Sequence, residues 1–494
     1  MLHLRGHLAL ALLIVVAFSY GCRPGEPPPT ETSKEASSVP ITTGSAQALE
    51  AYLAGRGLQE RLRAVDARVE FEKAAAVDPS FALAQLGLAT TAPTNRDFFA
   101  AAMQAQELAV TASEGERLMI EAFMAGVNAQ PDRQLELLTS LEASFPNDQR
   151  VQQQLATFHF FTRQDYGTAA THLERAIAID PEFSPAYNLL GYSRRFLGDF
   201  GAAETAFQRY TELIPDEPNP HDSYAELLMK VGRFDESIAA YRRALEVDPS
   251  FVNAYVGIAN DLIFRGDAPA ARIELLKLQE VARNDGQRRL AHTWSAASYL
   301  HEGDYEKALA EIRRATEIAA ATSDFGAMSG DRNFEGEVLL AAGRFEEAER
   351  GFREVVELAQ RSDATVEVKR GAQRNSLHDL GRVALARGDV EEARRLAQEY
   401  REQVTASKVP FEGWQAHELD GLIAAASGDQ AGAAAELGQA NQQDPRVLFG
   451  LARALDQAGD AEAARAACRR VVEFNQLNIN YGLVRPAALA MCGS

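Results

Sequence analysis

Histidines next to acidic residues are the first candidates for chemistry in this sequence, because imidazole and carboxylate groups together bind zinc or transfer protons. The chain has nine histidines, and two of them, His301 and His417, stand directly before a glutamate. A helical zinc-protease motif needs a second histidine four residues on, but Tyr305 and Gly421 occupy those positions. We therefore predict no metal ligand at either pair.

Other catalytic signatures are also missing from the sequence. It contains no Gly-Lys pair for a phosphate-binding loop, no Gly-x-Ser-x-Gly elbow for a serine hydrolase and no Cys-x-x-Cys pair. We therefore predict no catalytic residue, no cofactor and no metal, and we expect a protein that is not an enzyme. A site assembled from distant parts of the chain would escape this reasoning.

Composition and charge exclude further classes. The 494 residues include 50 Lys and Arg against 70 Asp and Glu, which gives a formal charge of −20. Such a chain lacks the positive surface that nucleic-acid phosphates require, so we expect no nucleic-acid partner. Hydrophobic residues make up 46% of the chain, which is typical of a folded protein. Three cysteines are too few for a disulfide-rich scaffold, so the core must be held by packing.

Residues 1–21 have the pattern of an export signal peptide. Arg5 precedes an apolar run from Leu8 to Phe18, which is too short to span a bilayer as a helix. Gly21 and Cys22 follow soon after this run. The sequence therefore predicts a protein that leaves the cytoplasm.

Gly21 and Cys22 resemble the end of a bacterial lipoprotein signal, in which a small residue precedes a cysteine that becomes acylated. Ser19 and Tyr20 depart from that pattern, where an aliphatic and a small residue are usual. The resemblance implies lipidation of Cys22 and, because Arg23 rather than Asp follows it, the periplasmic face of the outer membrane. An ordinary cleaved signal or a short uncleaved anchor stays open as an alternative.

A linker is expected to follow the signal, over residues 22–46. From Arg23 to Ala46 the sequence has five prolines and eight serines or threonines, with no aromatic residue. This composition is typical of a disordered, partly extended spacer. We expect it to hold the folded part of the chain away from the membrane.

A fixed set of residues recurs along the rest of the chain. Pro181, Pro215 and Pro249 are 34 residues apart, a period that indicates a helical solenoid. Glycines recur with similar spacing at Gly198, Gly232, Gly266, Gly303, Gly343, Gly388, Gly428 and Gly459. A small residue stands five positions after each, at Ala203, Ser237, Ala271, Ala308, Ala348, Ala393, Ala433 and Ala464. Glycine permits a left-handed turn between two helices, and the small residue allows the helices to cross closely.

These repeats resemble the tetratricopeptide repeat. The best copy begins at Ser184 and carries Tyr187, Leu190, Gly191, Ala203, Phe207, Tyr210 and Pro215 at or near the consensus positions. The resemblance implies an all-α fold, a solenoid of helical hairpins wound as a right-handed superhelix. It covers about 11–12 repeats, and a C-terminal capping helix is expected to cover the last one.

Repeat spacing divides the predicted solenoid into parts. We expect regular repeats over residues 47–285, longer and less regular repeats over residues 286–474, and the cap over residues 475–494. The polar insertion of residues 322–333 is expected to lie between two repeats, at the edge of the solenoid.

Cys468 and Cys492 form a candidate disulfide bond. They are the two thiols that remain besides Cys22, and an exported protein meets an oxidising compartment. Cys468 belongs to the last repeat and Cys492 to the end of the predicted cap. A bond between them would pin the cap, whereas the alternative is two separate small residues.

The resemblance also implies a concave face, lined by the first helix of each repeat, that binds partner proteins. The groove positions carried over from the family are Asn188, Tyr192, Arg195, Asp222, Ser223, Glu226, Asn253 and Asn260. The lysine and asparagine set with which some family members hold a terminal carboxylate does not match here. The alternative for these residues is a solvated helical face without a partner.

Two functions follow from these expectations. The first is a non-enzymatic interaction scaffold, tethered to the membrane at Cys22 in the bacterial envelope, that presents its concave face to other envelope proteins. The alternative is a ligand-sensing or enzymatic envelope protein, related to polysaccharide or the cell wall, with a site in the irregular second half.

Overall fold

The computed structural model of the protein describes residues 38–405 and 409–492. The predicted signal peptide, Cys22 and the linker up to residue 37 lie outside the described residues. Within those ranges the ordered elements are helices, and no β-strand occurs. None of these helices combines the length and the apolar character that a membrane crossing requires.

Twenty-four helices pair into twelve consecutive hairpins in the described ranges, and each hairpin corresponds to one repeat. In repeats 1–6 the first and second helices are α1 Ala46–Glu60 and α2 Ala64–Val77, α3 Ala82–Thr90 and α4 Asn95–Leu108, α5 Glu114–Val127 and α6 Pro131–Ser144, α7 Gln149–Thr157 and α8 Tyr166–Ile179, α9 Ser184–Phe196 and α10 Phe200–Leu213, and α11 Pro218–Lys230 and α12 Phe234–Val247. The predicted all-α solenoid is therefore confirmed.

Longer hairpins occur in repeats 8–10, and a final helix follows repeat 12. In repeats 7–12 the pairs are α13 Val252–Phe264 and α14 Ala268–Val281, α15 Asp285–Leu300 and α16 Tyr305–Ala321, α17 Phe325–Ala341 and α18 Phe345–Arg361, α19 Val366–Ala386 and α20 Val390–Val404, α21 Pro410–Ala426 and α22 Gln430–Gln439, and α23 Pro445–Gln457 and α24 Ala461–Val472. The last helix is α25 Tyr481–Cys492.

The residues that recur in the sequence make the hairpins close. All eight turn glycines named above have a positive φ, between 73° at Gly303 and 87° at Gly266. All eight small residues that follow them are buried. Repeats 1, 3 and 4 make the same left-handed turn without glycine, at Leu62, Ala129 and Gln164, which costs about 1 kcal/mol each.

The predicted insertion at residues 322–333 belongs to a helix instead. α17 begins at Phe325, and Asp331 and Asn333 within it are buried. Asp331 accepts a hydrogen bond from Arg289 Nη2 at 2.5 Å, and Asn333 Nδ2 donates to Asp379 Oδ2 at 3.2 Å. The expectation of a polar edge loop was wrong, because these polar side chains find partners on neighbouring first helices.

The chain divides into two compact units, and the boundary falls after Ser223, within α11. We call residues 38–223 the N-terminal unit and the described residues from Tyr224 onward the C-terminal unit. The boundary at residue 285 suggested by the repeat spacing marks a different feature. Helices up to α14 have at most 15 residues, whereas α15 to α21 have up to 21.

An extended segment precedes α1 in the N-terminal unit. Residues 38–45, which we call the N-terminal strap, alternate in exposure in the way that a strand-like chain does. The strap bonds are Val39 N to Asp148 Oδ2 (3.0 Å), Thr42 N to Glu116 Oε1 (2.7 Å), Ser113 N to Thr42 Oγ1 (3.1 Å), Ser113 Oγ to Pro40 O (3.2 Å) and Thr43 Oγ1 to Asp78 Oδ2 (2.6 Å). The last residues of the predicted linker are thus bound to the repeats.

The predicted cap is a helix, but it does more than cover the last repeat. α25 packs on α23 and α24 and also on α15 of the same unit. Tyr481 is fully buried, and its hydroxyl donates to the carbonyl oxygen of Val471 at 2.9 Å. Arg485 Nη2 donates to the carbonyl oxygen of Phe264 at 3.0 Å. In the structure Cys468 and Cys492 are disulfide-bonded, with their Cα atoms 5.3 Å apart.

Candidate partner-binding surfaces

The first helices of the N-terminal unit share an inner surface. Arg150 on α7 and Glu60 on α1 lie 3.4 Å apart, between Nη2 and Oε1. These residues belong to repeats 4 and 1, so helices three repeats apart meet there. Side chains on this face of the first helices therefore point toward one another, as a concave surface requires.

Three predicted groove residues of the N-terminal unit form one hydrogen-bonded array with Asn219. Asn188 Nδ2 on α9 donates to Asn219 Oδ1 on α11 at 3.2 Å. Ser223 Oγ donates to Asn188 Oδ1 at 3.1 Å, and Tyr192 OH donates to Ser223 Oγ at 3.4 Å. Tyr210 OH supports the array from α10 with a 3.0 Å bond to Asn219 Oδ1. We call Asn188, Tyr192, Asn219 and Ser223 the α9–α11 array.

Arg195 extends this array through its planar side chain. Its guanidinium carbon lies 5.1 Å from the centre of the Tyr192 ring and 5.0 Å from that of Phe196, which is favourable cation–π geometry. Arg195 and Asp222 are only 5% and 4% exposed, whereas Asn188 and Tyr192 are partly exposed. The accessible part of the surface is therefore the α9 face around Tyr192.

The remaining predicted groove residues lie in the C-terminal unit, so the eight residues do not fall in one compact unit. Glu226 and Asn260 are buried, and Asn253 is partly exposed. Asn260 Nδ2 donates to the carbonyl oxygen of Val256 on its own helix at 2.9 Å. A buried side chain that is hydrogen-bonded to its own helix is less available to a partner than the partly exposed Tyr192.

Sequence reasoning missed a buried ionic network on the inner face of the C-terminal unit. Arg382 on α19 donates two hydrogen bonds to Glu337 on α17, at 2.5 and 2.8 Å. Arg446 on α23 approaches the same carboxylate at 2.9 Å. Repeat 12 thus meets repeat 9, which is the same three-repeat separation that Arg150 and Glu60 bridge in the N-terminal unit.

The network keeps its charged groups ionised. Although burial raises the pKa of Glu337, the guanidinium groups of Arg382 and Arg446 lower it well below its usual value. Burial lowers the pKa of His378, but the carboxylates of Glu418 and Asp379 outweigh burial and raise it to about 9. Burial likewise raises the pKa of Glu418, and the attraction of His378 brings it below its usual value.

A signal for this network was present in the sequence. Tyr192, Glu226 and Asn260 each stand six residues before a turn glycine. Glu337 and Arg382 stand six residues before Gly343 and Gly388. Carrying the groove position into the less regular repeats would have found both residues, although not their pairing.

A cavity of about 210 Å³ lies beside the network, within the C-terminal unit. Its charged lining residues are Glu337, Arg382, Glu418 and Arg446, and its apolar lining includes Leu340, Leu422, Val447, Leu483 and Val484. Leu483 and Val484 belong to α25, so the final helix closes one side of the cavity. Across the described residues, no group of three or more His, Cys, Asp or Glu side chains could hold a metal ion.

Family models identify the repeats that the hairpin geometry indicates. Three models, each described as tetratricopeptide repeat, match residues 159–218, 225–279 and 437–478, residues 332–354 and 375–399, and residues 291–322. The chain is a tetratricopeptide repeat protein. These matches begin at residue 159, although residues 46–157 form hairpins of the same kind. Tetratricopeptide repeats bind other proteins, so the chain is a protein-interaction scaffold.

Solved structures that resemble this tetratricopeptide chain do so over parts of its length. Two crystal structures of MamA are each 19% identical and cover 34% and 32% of this chain and 91% and 93% of their own, with TM-scores of 0.29 and 0.28. A mutant O-GlcNAc transferase from Thermobaculum terrenum is 25% identical over 27% of this chain and 26% of that chain, with a TM-score of 0.25. No curated protein sequence matches significantly.

Proposed function

We propose that this chain is a non-enzymatic scaffold of the bacterial envelope. In this proposal an acyl group on Cys22 tethers it to the periplasmic face of the outer membrane, and other envelope proteins bind the inner surface of its N-terminal unit. The pattern around Gly21 and Cys22 supports the tether. The observation that carries the binding proposal is the α9–α11 array.

The array has properties that favour protein binding. Its side chains are held by one another, so little conformational entropy is lost when a partner docks. Tyr192 is partly exposed and stacked with Arg195, and tyrosine and arginine dominate the binding energy of many interfaces. A partner segment that lies along α9 and α11 would contact the aromatic ring and the amide of Asn188 together.

Capture of partners from membranes tests the binding surface. The chain carrying Tyr192→Ala is compared with the unchanged chain after brief crosslinking in cells, and bound proteins are identified by mass spectrometry. The matched control is Phe200→Ala, since Phe200 is 39% exposed on the second helix α10. We expect a near-stoichiometric envelope protein to be lost with Tyr192→Ala alone. Equal capture by all three chains would refute the surface.

Arg195 is not suited to a charge-reversal test. It is 5% exposed, so Arg195→Glu would bury a carboxylate and disturb folding as well as binding. The conservative Tyr192→Phe change is a better companion, because it removes only the hydroxyl that bonds Ser223 Oγ. We expect it to weaken capture less than Tyr192→Ala does.

The tether is tested separately. We expect cells fed a labelled fatty acid to label the chain, and Cys22→Ser to lose both the label and the retention of the chain in washed membranes. Membrane retention without label would point to an uncleaved anchor, and release of both chains would point to an ordinary cleaved signal. Neither result would bear on the partner-binding surface.

The cavity in the C-terminal unit favours a second candidate function, the sensing of a small envelope ligand. Its lining mixes apolar side chains with charged ones, as ligand sites do. Glycoside hydrolysis would need one protonated carboxyl group, but the pKa values of Glu337 and Glu418 are both lowered. We therefore propose binding rather than hydrolysis for this cavity. A panel of cell-wall and exported sugars that leaves the melting temperature unchanged would eliminate it.

A further inference from the structure

Arg56 is a buried cation without a hydrogen-bond acceptor in the N-terminal unit. It lies on α1 with 0% of its surface exposed. Within the described residues, none of its Nε, Nη1 and Nη2 atoms has a hydrogen-bond partner. The ring of Tyr52 lies 5.5 Å from the guanidinium carbon, which compensates the charge only in part. Burial lowers the pKa of Arg56 to about 9, so the group stays charged at neutral pH.

The acidic groups near Arg56 are hydrogen-bonded to other residues. Glu60, one helical turn further along α1, is bonded to Arg150 at 3.4 Å. Asp148 accepts hydrogen bonds from the backbone N–H groups of Val39 and Arg150, at 3.0 and 2.9 Å. The inner surface between α1 and α7 therefore carries two arginines, and Glu60 bonds the second of them.

Further polar groups without partners lie on the same two helices. Gln154 on α7, one turn beyond Arg150, is 2% exposed, and Gln59 on α1 is 5% exposed. The Nε2 donor of Gln154 and the Oε1 acceptor of Gln59 have no hydrogen-bond partner in the described part of the chain. Buried polar groups are normally paired because an unpaired one costs about 1–3 kcal/mol.

The C-terminal unit contains a comparable pair of arginines that both face a carboxylate. There Glu337 accepts from Arg382 and lies 2.9 Å from Arg446, so both guanidinium groups have a carboxylate. In the N-terminal unit Glu60 bonds Arg150, the arginine of repeat 4, whereas Arg56 of repeat 1 has no hydrogen bond to a carboxylate of the described residues. A ligand carboxylate would supply the missing charge.

We propose that Arg56 binds the carboxylate of an acidic residue in a partner segment that enters between α1 and α7. A guanidinium group binds a carboxylate through two parallel hydrogen bonds. Such charge-assisted pairs are among the strong hydrogen bonds of proteins. Because the whole chain is strongly acidic, long-range repulsion disfavours acid-rich segments. The preferred segment has one acidic residue among neutral or basic ones. This inference does not depend on the membrane tether or on the α9–α11 array.

Entry of the segment requires α1 to move locally, because Arg56 is covered. α1 opens the first repeat in the described residues, and terminal repeats open more easily than central ones. We therefore expect association to be slower than the usual 10⁵–10⁷ M⁻¹s⁻¹ range for preformed surfaces, roughly tenfold or more below it.

Selection of random octapeptides on the full chain in detergent tests the site. One library has free C-termini and the other has amidated C-termini. We expect at least about tenfold enrichment of Asp or Glu at one position, lost in Arg56→Gln and kept in the control Arg63→Gln, whose side chain is 44% exposed. Enrichment in both libraries identifies a side-chain carboxylate, as proposed. Enrichment with free C-termini alone, no enrichment, or equal enrichment with Arg56→Gln would overturn the proposal.

A second variant keeps the test decisive where Arg56→Gln does not fold. Arg56→Met removes the charge and retains most of the side-chain volume. Because a buried charge without a partner destabilises the free chain, we expect Arg56→Met to melt at or above the temperature of the unchanged chain without peptide. A clearly lower melting temperature would make Arg56 a structural residue and overturn the proposal.

Discussion

Glu337 and Arg382 form a two-bond ion pair inside the C-terminal unit although 45 residues separate them in the chain. Both side chains are nearly buried, at 9% and 12% exposed. Loss of one partner would leave the guanidinium groups of Arg382 and Arg446 with less compensation in a largely buried place.

We therefore expect Glu337→Gln to lower the free energy of unfolding of the C-terminal unit by about 3–5 kcal/mol. Urea denaturation followed by tryptophan fluorescence measures this unit selectively, because Trp294 and Trp414 are the two tryptophans of the chain. The control is Glu346→Gln, whose side chain is 76% exposed, with an expected change within about 0.5 kcal/mol. Similar midpoints for both variants would mean that the network contributes little.

Stability of the C-terminal unit should fall as pH rises, because of Asp261. This residue is fully buried, and neither carboxyl oxygen has a hydrogen-bond partner among the described residues. Burial raises the pKa of Asp261 from 3.8 to about 8. The folded state therefore holds a proton that the unfolded state has released between those two values, and this group lowers stability by up to about 1.4 kcal/mol per pH unit across that window.

Asp261→Asn removes this proton exchange and should make the slope shallower between about pH 4 and pH 8, and the fall that remains above about pH 6.5 comes from His378. The variant should be more stable than the unchanged chain at pH 8 and similar near pH 4. Urea titrations at four pH values, with tryptophan fluorescence, measure both slopes. If the free energy of unfolding depends on pH in the same way in both chains, the carboxyl group is ionised in the folded chain and the burial argument fails.

The bond between Cys468 and Cys492 should stabilise the cap. It closes a loop of 24 residues, for which loop entropy predicts a contribution of about 3 kcal/mol. We expect Cys492→Ser, or reduction of the unchanged chain, to lower the free energy of unfolding, measured from the tryptophan-monitored urea transition, by the same amount. Non-reducing peptide mapping that finds both thiols free in protein isolated from cells would show that the bond does not form there.

The N-terminal strap should show amide protection at particular residues. The N–H groups of Val39 and Thr42 donate to Asp148 and Glu116, whereas the neighbouring Gly44 N–H has no such bond in the described structure. Hydrogen exchange read by residue-resolved mass spectrometry should find the first two amides slower than that of Gly44. Uniform fast exchange over residues 38–45 would show that the strap is not bound.

A matched variant tests the strap contact without removing the N-cap of α7. Asp148 caps α7 through Oδ1 and binds Val39 through Oδ2. Asp148→Ser keeps a good N-cap but has no second oxygen for Val39. We expect exchange at Val39 to rise about tenfold, the equivalent of one hydrogen bond, while exchange at Thr42 stays unchanged.

Local rules predicted the hairpins well. Gly198 and its seven counterparts needed only a turn conformation, and Ala203 and its counterparts needed only a close helix crossing, so both could be inferred from spacing. Contacts such as Arg150 with Glu60, or Arg446 with Glu337, depend on how far successive hairpins rotate. Small rotations accumulate over three repeats, and the sequence of one repeat does not specify them.

The same reason explains why the candidate site was only partly predicted. Register placed Asn188, Tyr192 and Ser223 on neighbouring first helices, and the structure joins them. The repeat register did not predict that Asp222 is buried or that Asn260 bonds its own helix. Nor did it predict that Arg56 on α1 has no acceptor among the described residues. Those properties depend on which helix lies opposite, and so on tertiary structure rather than on the repeat.

The last described segment of the chain packs back on much earlier helices of the C-terminal unit, and this has a consequence for synthesis of the chain. Lys230 Nζ donates to the carbonyl oxygen of Phe474 across 244 residues, and Arg485 reaches Phe264 across 221. An ordinary repeat array can fold hairpin by hairpin as it leaves the ribosome, since each repeat contacts only its neighbours. Here the inner face around Phe264 stays uncovered until α25 has been translated. Chaperone binding would protect that face for most of the synthesis of the C-terminal unit.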